Sequence, residues 1–389
     1  MKKSFAVALL LFFTMTIAFS YSFTIAYSES GYEIRMTIDG EEYTENVMIS
    51  EDVIVKVGGS FYNFAAEKLA DGVDPENLLN YISPSLGSGF FNVLSERETD
   101  SVDAAMTVDE KKGKFSYIDG KNGKAYDKVE ACLAIAKSLD GKRTDLRIKE
   151  TLPNITLAEL KRRTRLIGRF ATDLAGSSEE RKHNVKTAAD YINGFRLSSG
   201  ERFSFNEVVG ARTEERGFKK AKVIIDGEYT YGYGGGVCQT ATTLYNAVLL
   251  SGLKTVRVSR HSYPARYVGY SRDAMVSSSS DFIFENDGEY DVFIFARVIR
   301  NSVEVEIYGD KRGNYTLLSV ETGRTPFVAT DESGKIIVPD ETYKIVSNGI
   351  EGVKSELYII DSFGVKKRVR RDTYKTKNAV YKKIDEISE

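Results

Sequence analysis

The chain has 389 residues, a formal net charge of −2, 42% hydrophobic and 28% charged residues. That is an ordinary globular mixture with room for two or three domains, and its balance excludes a basic nucleic-acid binder. Two cysteines (Cys132, Cys238) and two histidines (His183, His261) exclude a disulfide framework and are too few for a Cys/His zinc site, so no metal or cofactor is expected.

Lys2 and Lys3 precede an uncharged, mostly apolar run from Ser4 to Tyr27. A positive start before an apolar core reads as a secretory signal. As a helix the run would reach about 36 Å, enough to span a bilayer. Ala26-Tyr27-Ser28 offers small residues at a signal-peptidase spacing, so residues 1–28 are either a cleaved signal or a membrane anchor. Both readings place the rest of the chain outside the cytoplasm.

Residues 30–165 read as an α+β domain. Tyr32 to Ile49 suggests a hairpin turning at Asp39-Gly40. Asp74-Pro75 is a helix cap followed by proline at the first helical position, opening a helix through Ile82. Val102 to Asp119 suggests a second hairpin around Lys111-Lys112-Gly113. Asp127 caps a helix with Val129, Cys132, Ile135 and Leu139 on one face, which makes Cys132 a core residue. A strand is expected over Asp145–Glu150, and Thr156 with Glu159 forms a capping box. A disulfide between Cys132 and Cys238 is open by counting alone, but the two segments differ in character.

Leu174–Lys182 is polar and reads as a linker, followed by a helix over 183–194 ending at Gly194. His183 reads as an exposed residue near that helix start. The most informative stretch begins at Gly200-Glu201-Arg202-Phe203-Ser204-Phe205-Asn206. It continues through Gly210, Arg212-Thr213 and Gly217-Phe218 to a hairpin at Asp226-Gly227. Next come Gly234-Gly235-Gly236-Val237-Cys238-Gln239, a helix to about Leu250, a strand-like run Lys254–Ser259, His261-Ser262-Tyr263-Pro264, Arg272-Asp273-Ala274 and Asp281-Phe282-Ile283-Phe284-Glu285-Asn286. Asp281 to Gly309 reads as three antiparallel strands with Phe282, Phe284, Phe293, Phe295, Val303, Val305 and Ile307 as the packed face. From Gly313 the chain reads as a small β module, residues 313–389, carrying the basic run Lys366-Lys367-Arg368-Val369-Arg370-Arg371. That run is a solvated strand face or a contact for anionic wall polymer or lipid. The overall class is therefore α+β, with antiparallel or mixed sheets and few helices.

The ordered motifs from Gly200 to Asn286 resemble the VanW family, and a VanW-like domain is expected over residues 166–312. The family is named for an accessory protein of glycopeptide-resistance clusters, and its members are typically exported. Met106 to Leu160, with Gly120-Lys121-Asn122-Gly123 and Leu152-Pro153-Asn154-Ile155-Thr156, resembles the peptidoglycan-binding-like module that often precedes it. Asp372-Thr373-Tyr374-Lys375 resembles the tail that follows many such regions. The resemblance implies an exported envelope protein whose partner is cell-wall peptidoglycan or a wall-associated protein.

The residues themselves add a chemical reading. Three glycines free the backbone for positive φ and close approach. Cys238 follows at a helix start, where free N–H groups and the helix dipole favour a thiolate. His261 is the candidate base and Asp273 its orienter. This order is similar to transglutaminase-like and papain-like enzymes, with Gln239 and the Gly234–Gly236 backbone as oxyanion candidates. It departs from the papain pattern because Gln239 follows the cysteine. It departs from transglutaminase-like chains because Ser262 comes before the aromatic Tyr263. Asn206, Arg212 and Thr213 are candidate binding residues, Arg212 as a carboxylate clamp. The plain alternative is a tight turn capping a core helix, with His261 and Asp273 serving only the fold.

Overall fold

The structure is a computed structural model, and it describes residues 29–225, 228–310 and 312–384. The expected signal or anchor over residues 1–28 lies outside the described residues. Among the described residues no helix is long and apolar enough to cross a membrane. The chain forms two compact units. One comprises the described residues up to Asp103 with Gly120–Asn154, and the other Ala104–Asp119 with everything from Ile155 onward. The class is α+β, but with nine helices among the described residues rather than few.

In the first unit, β1 (Glu29–Ile38) and β2 (Glu41–Ser50) form the expected hairpin. Its turn uses Asp39 and Gly40, both at positive φ. Four helices follow: α1 (Glu51–Val57), α2 (Phe61–Ala70), α3 (Pro75–Ile82) and α4 (Leu86–Ser95). Asp74 caps α3 by accepting from the Glu76 and Asn77 amides, with Pro75 at the first position where no donor is missed. The hairpin β3 (Ala105–Asp109) and β4 (Lys114–Ile118) belongs to the second unit. The first unit resumes with β5 (Gly123–Ala125), α5 (Lys128–Leu139), β6 (Thr144–Leu146) and β7 (Lys149–Thr151). The single strand expected over 145–150 is thus two short ones: β6 runs parallel to β1, and β7 pairs with β5. Asp127 caps α5, and Cys132, Ile135 and Leu139 are buried. Val129, expected on the same face, is 46% exposed in the first turn.

In the second unit, α6 (Leu157–Arg163) starts at Thr156, whose side chain accepts from the Glu159 amide. Then come β8 (Arg165–Asp173) and α7 (Glu179–Ile192). This helix begins four residues earlier than the sequence suggested. The Ser178 side chain accepts from the Arg181 amide, and Glu179 and Glu180 favour the positive end of the helix dipole. The polar stretch read as a linker therefore contains a helix cap. Next are β9 (Phe195–Leu197), β10 (Arg202–Ser204), α8 (Phe205–Val209), β11 (Lys220–Ile225), β12 (Glu228–Tyr233), α9 (Val237–Ser251) and β13 (Lys254–Arg257). β14 (Ile283–Glu285), β15 (Val292–Ile299) and β16 (Ser302–Gly309) complete the central part.

The central sheet has the order β8-β16-β15-β9, all antiparallel. The expected three-stranded meander over 281–309 does not form. β14 joins β10 and β13 in a separate sheet, and only β15 and β16 pair with each other. The alternating side chains specify a buried face but not which strand pairs alongside. β15 is in fact buried on both faces from Val292 to Ala296, because α7 covers one side. Helix α9 lies on β8 and β16. A Cβ at Gly168 on β8 would collide with the Ala247 carbonyl, so glycine is what lets the helix come that close.

The C-terminal residues form β17 (Thr316–Thr325), β18 (Ala329–Thr330), β19 (Tyr343–Ser347), β20 (Gly352–Ile360), β21 (Lys366–Tyr374) and β22 (Ala379–Lys383). They make two small sheets, β17-β20-β21 and β18-β22-β19. The basic run Lys366–Arg371 lies on β21, and much of its charge is paired internally. Arg368 and Arg371 meet Glu356, and Arg370 meets Asp372.

The core of the second unit includes an aromatic stack in which Phe203 lies 5.0 Å from Phe195, edge-on, and 5.0 Å from Phe284, face-on. Phe203 is fully buried. Phe203→Ala is expected to cost about 3–5 kcal/mol through lost transfer energy and a residual cavity. Urea unfolding followed by near-ultraviolet circular dichroism checks this.

Candidate active site

Helix α9 organises the site. Almost every residue from Val237 to Ser251 is buried, polar ones included. A helix buried all round normally carries an apolar surface, so each polar side chain needs a partner. Each has one. Thr240 donates to the Val185 carbonyl, Thr243 to the Gln239 carbonyl and Ser251 to the Ala247 carbonyl. Thr242 accepts from the Ala274 amide at 2.9 Å. Asn246 accepts from Arg272 Nε and donates to the Arg272 carbonyl, both at 2.8 Å.

Cys238, Thr242 and Asn246 are four residues apart and share one helix face. That face grips the residues on either side of Asp273. The Arg272 guanidinium is consequently spent on Asn246 and on the Phe170 ring, 4.9 Å away, rather than on Asp273.

The start of the helix is set by Gly234-Gly235-Gly236. Gly234 and Gly236 take φ of 80° and 113°, in the left-handed region that side chains resist. A Cβ on Gly235 would strike the Lys222 carbonyl. Gly236 is the N-cap and offers no side chain to the first-turn amides. The Val237 and Gln239 amides are taken by the carbonyls of Gly234 and Gly236. The Cys238 amide has no acceptor among the described residues. Cys238 therefore sits, half-buried, at the positive end of the helix with its own N–H free.

His261 and Asp273 converge on it. His261 Nδ1 lies 2.7 Å from Asp273 Oδ2, and the His261 backbone N–H donates to the same oxygen at 2.7 Å. Cys238 is the second group that acts on His261, through side-chain hydrogen bonding and charge. Cys238 Sγ also lies 3.3 Å from the Val276 carbonyl. Asp273 is not on a strand. It lies in an irregular segment just before the Met275–Ser259 bridge, with only 1% of its side chain exposed.

The charges reinforce one another. Burial opposes a charged Cys238, but the hydrogen bond and positive charge of His261, with Arg212 adding to them, hold the thiol below its ordinary range. Burial likewise opposes an imidazolium, yet Asp273 and Cys238 raise His261 well above its usual value. Asp273 is held low against burial by its hydrogen bonds and by the charge of His261. Both shifts run in the direction that favours a thiolate and an imidazolium backed by a carboxylate. Cys132 is the reverse case: burial, with the Asp74 charge, pushes it up to about 12. Both cysteines are free thiols.

The other sequence candidates divide. Gln239, expected as an oxyanion donor, is 2% exposed and fully committed. Its Oε1 accepts from Arg181 at 2.9 Å, and its Nε2 donates to the Asp173 carbonyl at 2.7 Å and to Thr172 at 3.1 Å. It ties α9 to α7 and β8. Asn206 donates to the Ser277 and Ser280 carbonyls and accepts from Arg212 at 2.5 Å. Arg212 also donates to the Gly210 carbonyl at 3.0 Å, and its stem lies against Gly234. Burial lowers its pKa, and its charge favours the Cys238 thiolate. Thr213 holds a turn through its carbonyl, which accepts from the Phe218 amide.

Three residues escaped the sequence reading. Tyr267 hydrogen-bonds Thr242 and feels the charge of Cys238. Burial foremost, then that charge, raises its hydroxyl far above the usual range. Tyr374 and Arg370, on β21, hold Asp273: Tyr374 donates to Oδ1 at 2.6 Å and Arg370 to the Asp273 carbonyl at 2.7 Å. The i, i+4 polar stripe in α9 was the one available hint of a gripped loop. Nothing local marks Tyr374.

Alkylation with iodoacetamide is expected to modify Cys238 near neutral pH, with a thiolate midpoint below that of a free cysteine, and to spare Cys132 until unfolding. Asp273→Asn removes the charge that supports the imidazolium, so the Cys238 midpoint moves to higher pH. At pH values below both midpoints, alkylation then falls about tenfold for each pH unit the midpoint climbs. Peptide mapping by mass spectrometry reads both. Gln239→Ala is expected to lower stability by about 1–3 kcal/mol, since it removes a buried side chain and its bonds to Arg181, Thr172 and the Asp173 carbonyl, while the alkylation midpoint stays in place. Thermal melting beside the same pH profile checks it.

Comparison with known proteins places this geometry in a family. Residues 180–308 match the family model described as "VanW like protein", and Cys238, His261 and Asp273 all fall inside the match. The chain is 38% identical over 146 residues to "Uncharacterized protein YoaR" of Bacillus subtilis (strain 168), covering 37% of this chain and 48% of that protein. It is 26% identical over 164 residues to "Vancomycin B-type resistance protein VanW" of Enterococcus faecalis (strain ATCC 700802 / V583), covering 41% and 58%. The chain thus spans about half the length of the curated relatives it matches. No solved structure matches it. Residues 180–308 are thus a VanW-like domain.

Proposed function

We propose that the chain is a cysteine-dependent enzyme of acyl transfer or hydrolysis, working in the cell envelope with wall stem peptides as its substrate class. The observation that carries this reading is the His261–Asp273 contact of 2.7 Å, with Cys238 and His261 each favouring the other's charged form. In the first step the Cys238 thiolate attacks an amide or ester carbonyl carbon. The C–N or C–O bond breaks, and the imidazolium gives its proton to the leaving group. Neutral His261 then takes a proton from the attacking water or amine, and the thioester C–S bond breaks to return the thiolate. The developing oxyanion is met by the free Cys238 amide and the positive end of α9.

The setting comes from elsewhere: the apolar N-terminal sequence implies export, and one relative is named for vancomycin resistance. A purely binding role, holding wall polymer or a wall-associated partner, draws on the same setting. It has less support in the residues, because the basic run spends Arg368 and Arg371 on Glu356 and Arg370 on Asp273 and Asp372.

The test is incubation of the protein from residue 29 onward with purified disaccharide-peptide fragments of peptidoglycan, followed by mass spectrometry of peptides and protein. The expected result is a shortened or cross-linked peptide and an acyl adduct on Cys238, both lost in Cys238→Ala. Unchanged peptides with no adduct overturn the catalytic reading. Salt-sensitive retention on insoluble wall by wild type and Cys238→Ala alike would then favour binding.

A further inference from the structure

We infer that Tyr374 is a positioning residue: its hydroxyl fixes the rotation of the Asp273 carboxylate and thereby aims His261 at Cys238, so that the C-terminal sheet completes the site. The inference rests on the cysteine–histidine–aspartate reading above.

The proton direction at Tyr374 follows from its two partners. The Ser271 amide donates to the Tyr374 hydroxyl oxygen at 2.7 Å, and an amide can only donate. The hydroxyl proton must then go elsewhere, and Asp273 Oδ1 lies 2.6 Å away. Tyr374 is 2% exposed, so no water competes for either bond. With Oδ1 held, Oδ2 is turned to receive both the backbone N–H and Nδ1 of His261. Release of Oδ1 frees the carboxylate to rotate, and both of those bonds depend on that rotation.

The neighbouring contacts show a built support. Ser271 adopts φ of 60°, a left-handed conformation that a serine holds only under constraint. The constraint comes from the same sheet. Ser271 Oγ meets Ser355 Oγ on β20 at 2.7 Å, and its amide is taken by Tyr374. Arg370 holds the Asp273 carbonyl, and the Lys375 amide donates to the Ser262 carbonyl at 2.8 Å, next to His261. Four residues on β20, β21 and just after it, Ser355, Arg370, Tyr374 and Lys375, thus tether the two segments bearing His261 and Asp273. All four lie beyond residue 308, where the family match ends. The titratable and charged groups facing the pair are Cys238 and Tyr245 on α9, Arg370, Asp372 and Tyr374 on β21, and Arg212 and Tyr267 from the loops.

The experiment is the pH profile of Cys238 alkylation in Tyr374→Phe, beside Asp273→Asn and Tyr358→Phe. Alkylation reads the charge on the thiol and needs no turnover. Tyr374→Phe keeps the buried ring and is expected to move the thiolate midpoint up by about one pH unit, a tenfold loss of rate at pH values below both midpoints. Tyr358→Phe removes a hydroxyl that meets Glu356 in the same sheet and is expected to leave the midpoint alone. Arg370→Lys, which weakens a second tether from the same strand, is expected to move the midpoint in the direction of Tyr374→Phe. A changed midpoint in Asp273→Asn with none in Tyr374→Phe and Arg370→Lys overturns the positioning role and leaves the catalytic reading standing. An unchanged midpoint in Asp273→Asn overturns the catalytic reading itself.

Discussion

A carboxylate sealed from water is the constraint around which the second unit is arranged. Asp273 is almost wholly buried, and an unpaired anion there would be far too costly to keep. It is kept by donors from three directions: two from His261 and one from Tyr374. The two residues that supply them come from different stretches of chain, and Tyr374 also takes the Ser271 amide. The loop carrying His261, the strained Ser271 and the last strand of the β17-β20-β21 sheet are all held in register by the need to satisfy one side chain.

The central helix solves a related problem. It is buried like an apolar helix, yet carries threonines, an asparagine and a glutamine inward. These form no diffuse network. Gln239, Thr240, Thr242 and Asn246 each reach a particular backbone group of a neighbouring segment, and so work as fixed tethers. The stripe of Thr242 and Asn246 places Asp273 at a set height along the helix, and Cys238 continues that stripe at the helix start. The glycine turn before it brings the incoming hairpin close enough that the first-turn amide of Cys238 is left free.

What was legible in the sequence was mostly local. Hairpins at Asp39-Gly40 and Lys111-Lys112-Gly113 and caps at Asp74, Asp127 and Thr156 depend on a few adjacent residues, and they form as read. The order of cysteine, histidine and aspartate was also legible, because a thiol at a helix start has a physical rationale wherever the rest lies. The misreadings were of partners. Alternation marked the faces of β14 and β15 but not that they enter different sheets. Gln239 looked free to serve an oxyanion and is instead consumed by Arg181, Thr172 and Asp173. The basic run looked like a solvated face, while its Arg370 turns inward to the Asp273 carbonyl. Such pairings join residues far apart in the chain, and no window of sequence contains both ends.

The same distance has a consequence for how the molecule matures. Tyr374 stands 101 residues beyond Asp273. Contacts so far apart in sequence close late, because chain entropy must be overcome before they form. Cys238 and His261 are therefore present in the growing and folding chain well before the strand that steadies their carboxylate has docked. Through that interval the thiol lacks part of the surroundings that lower its pKa in the finished fold. The ionisation of Cys238 is thereby linked to the docking of the last strands.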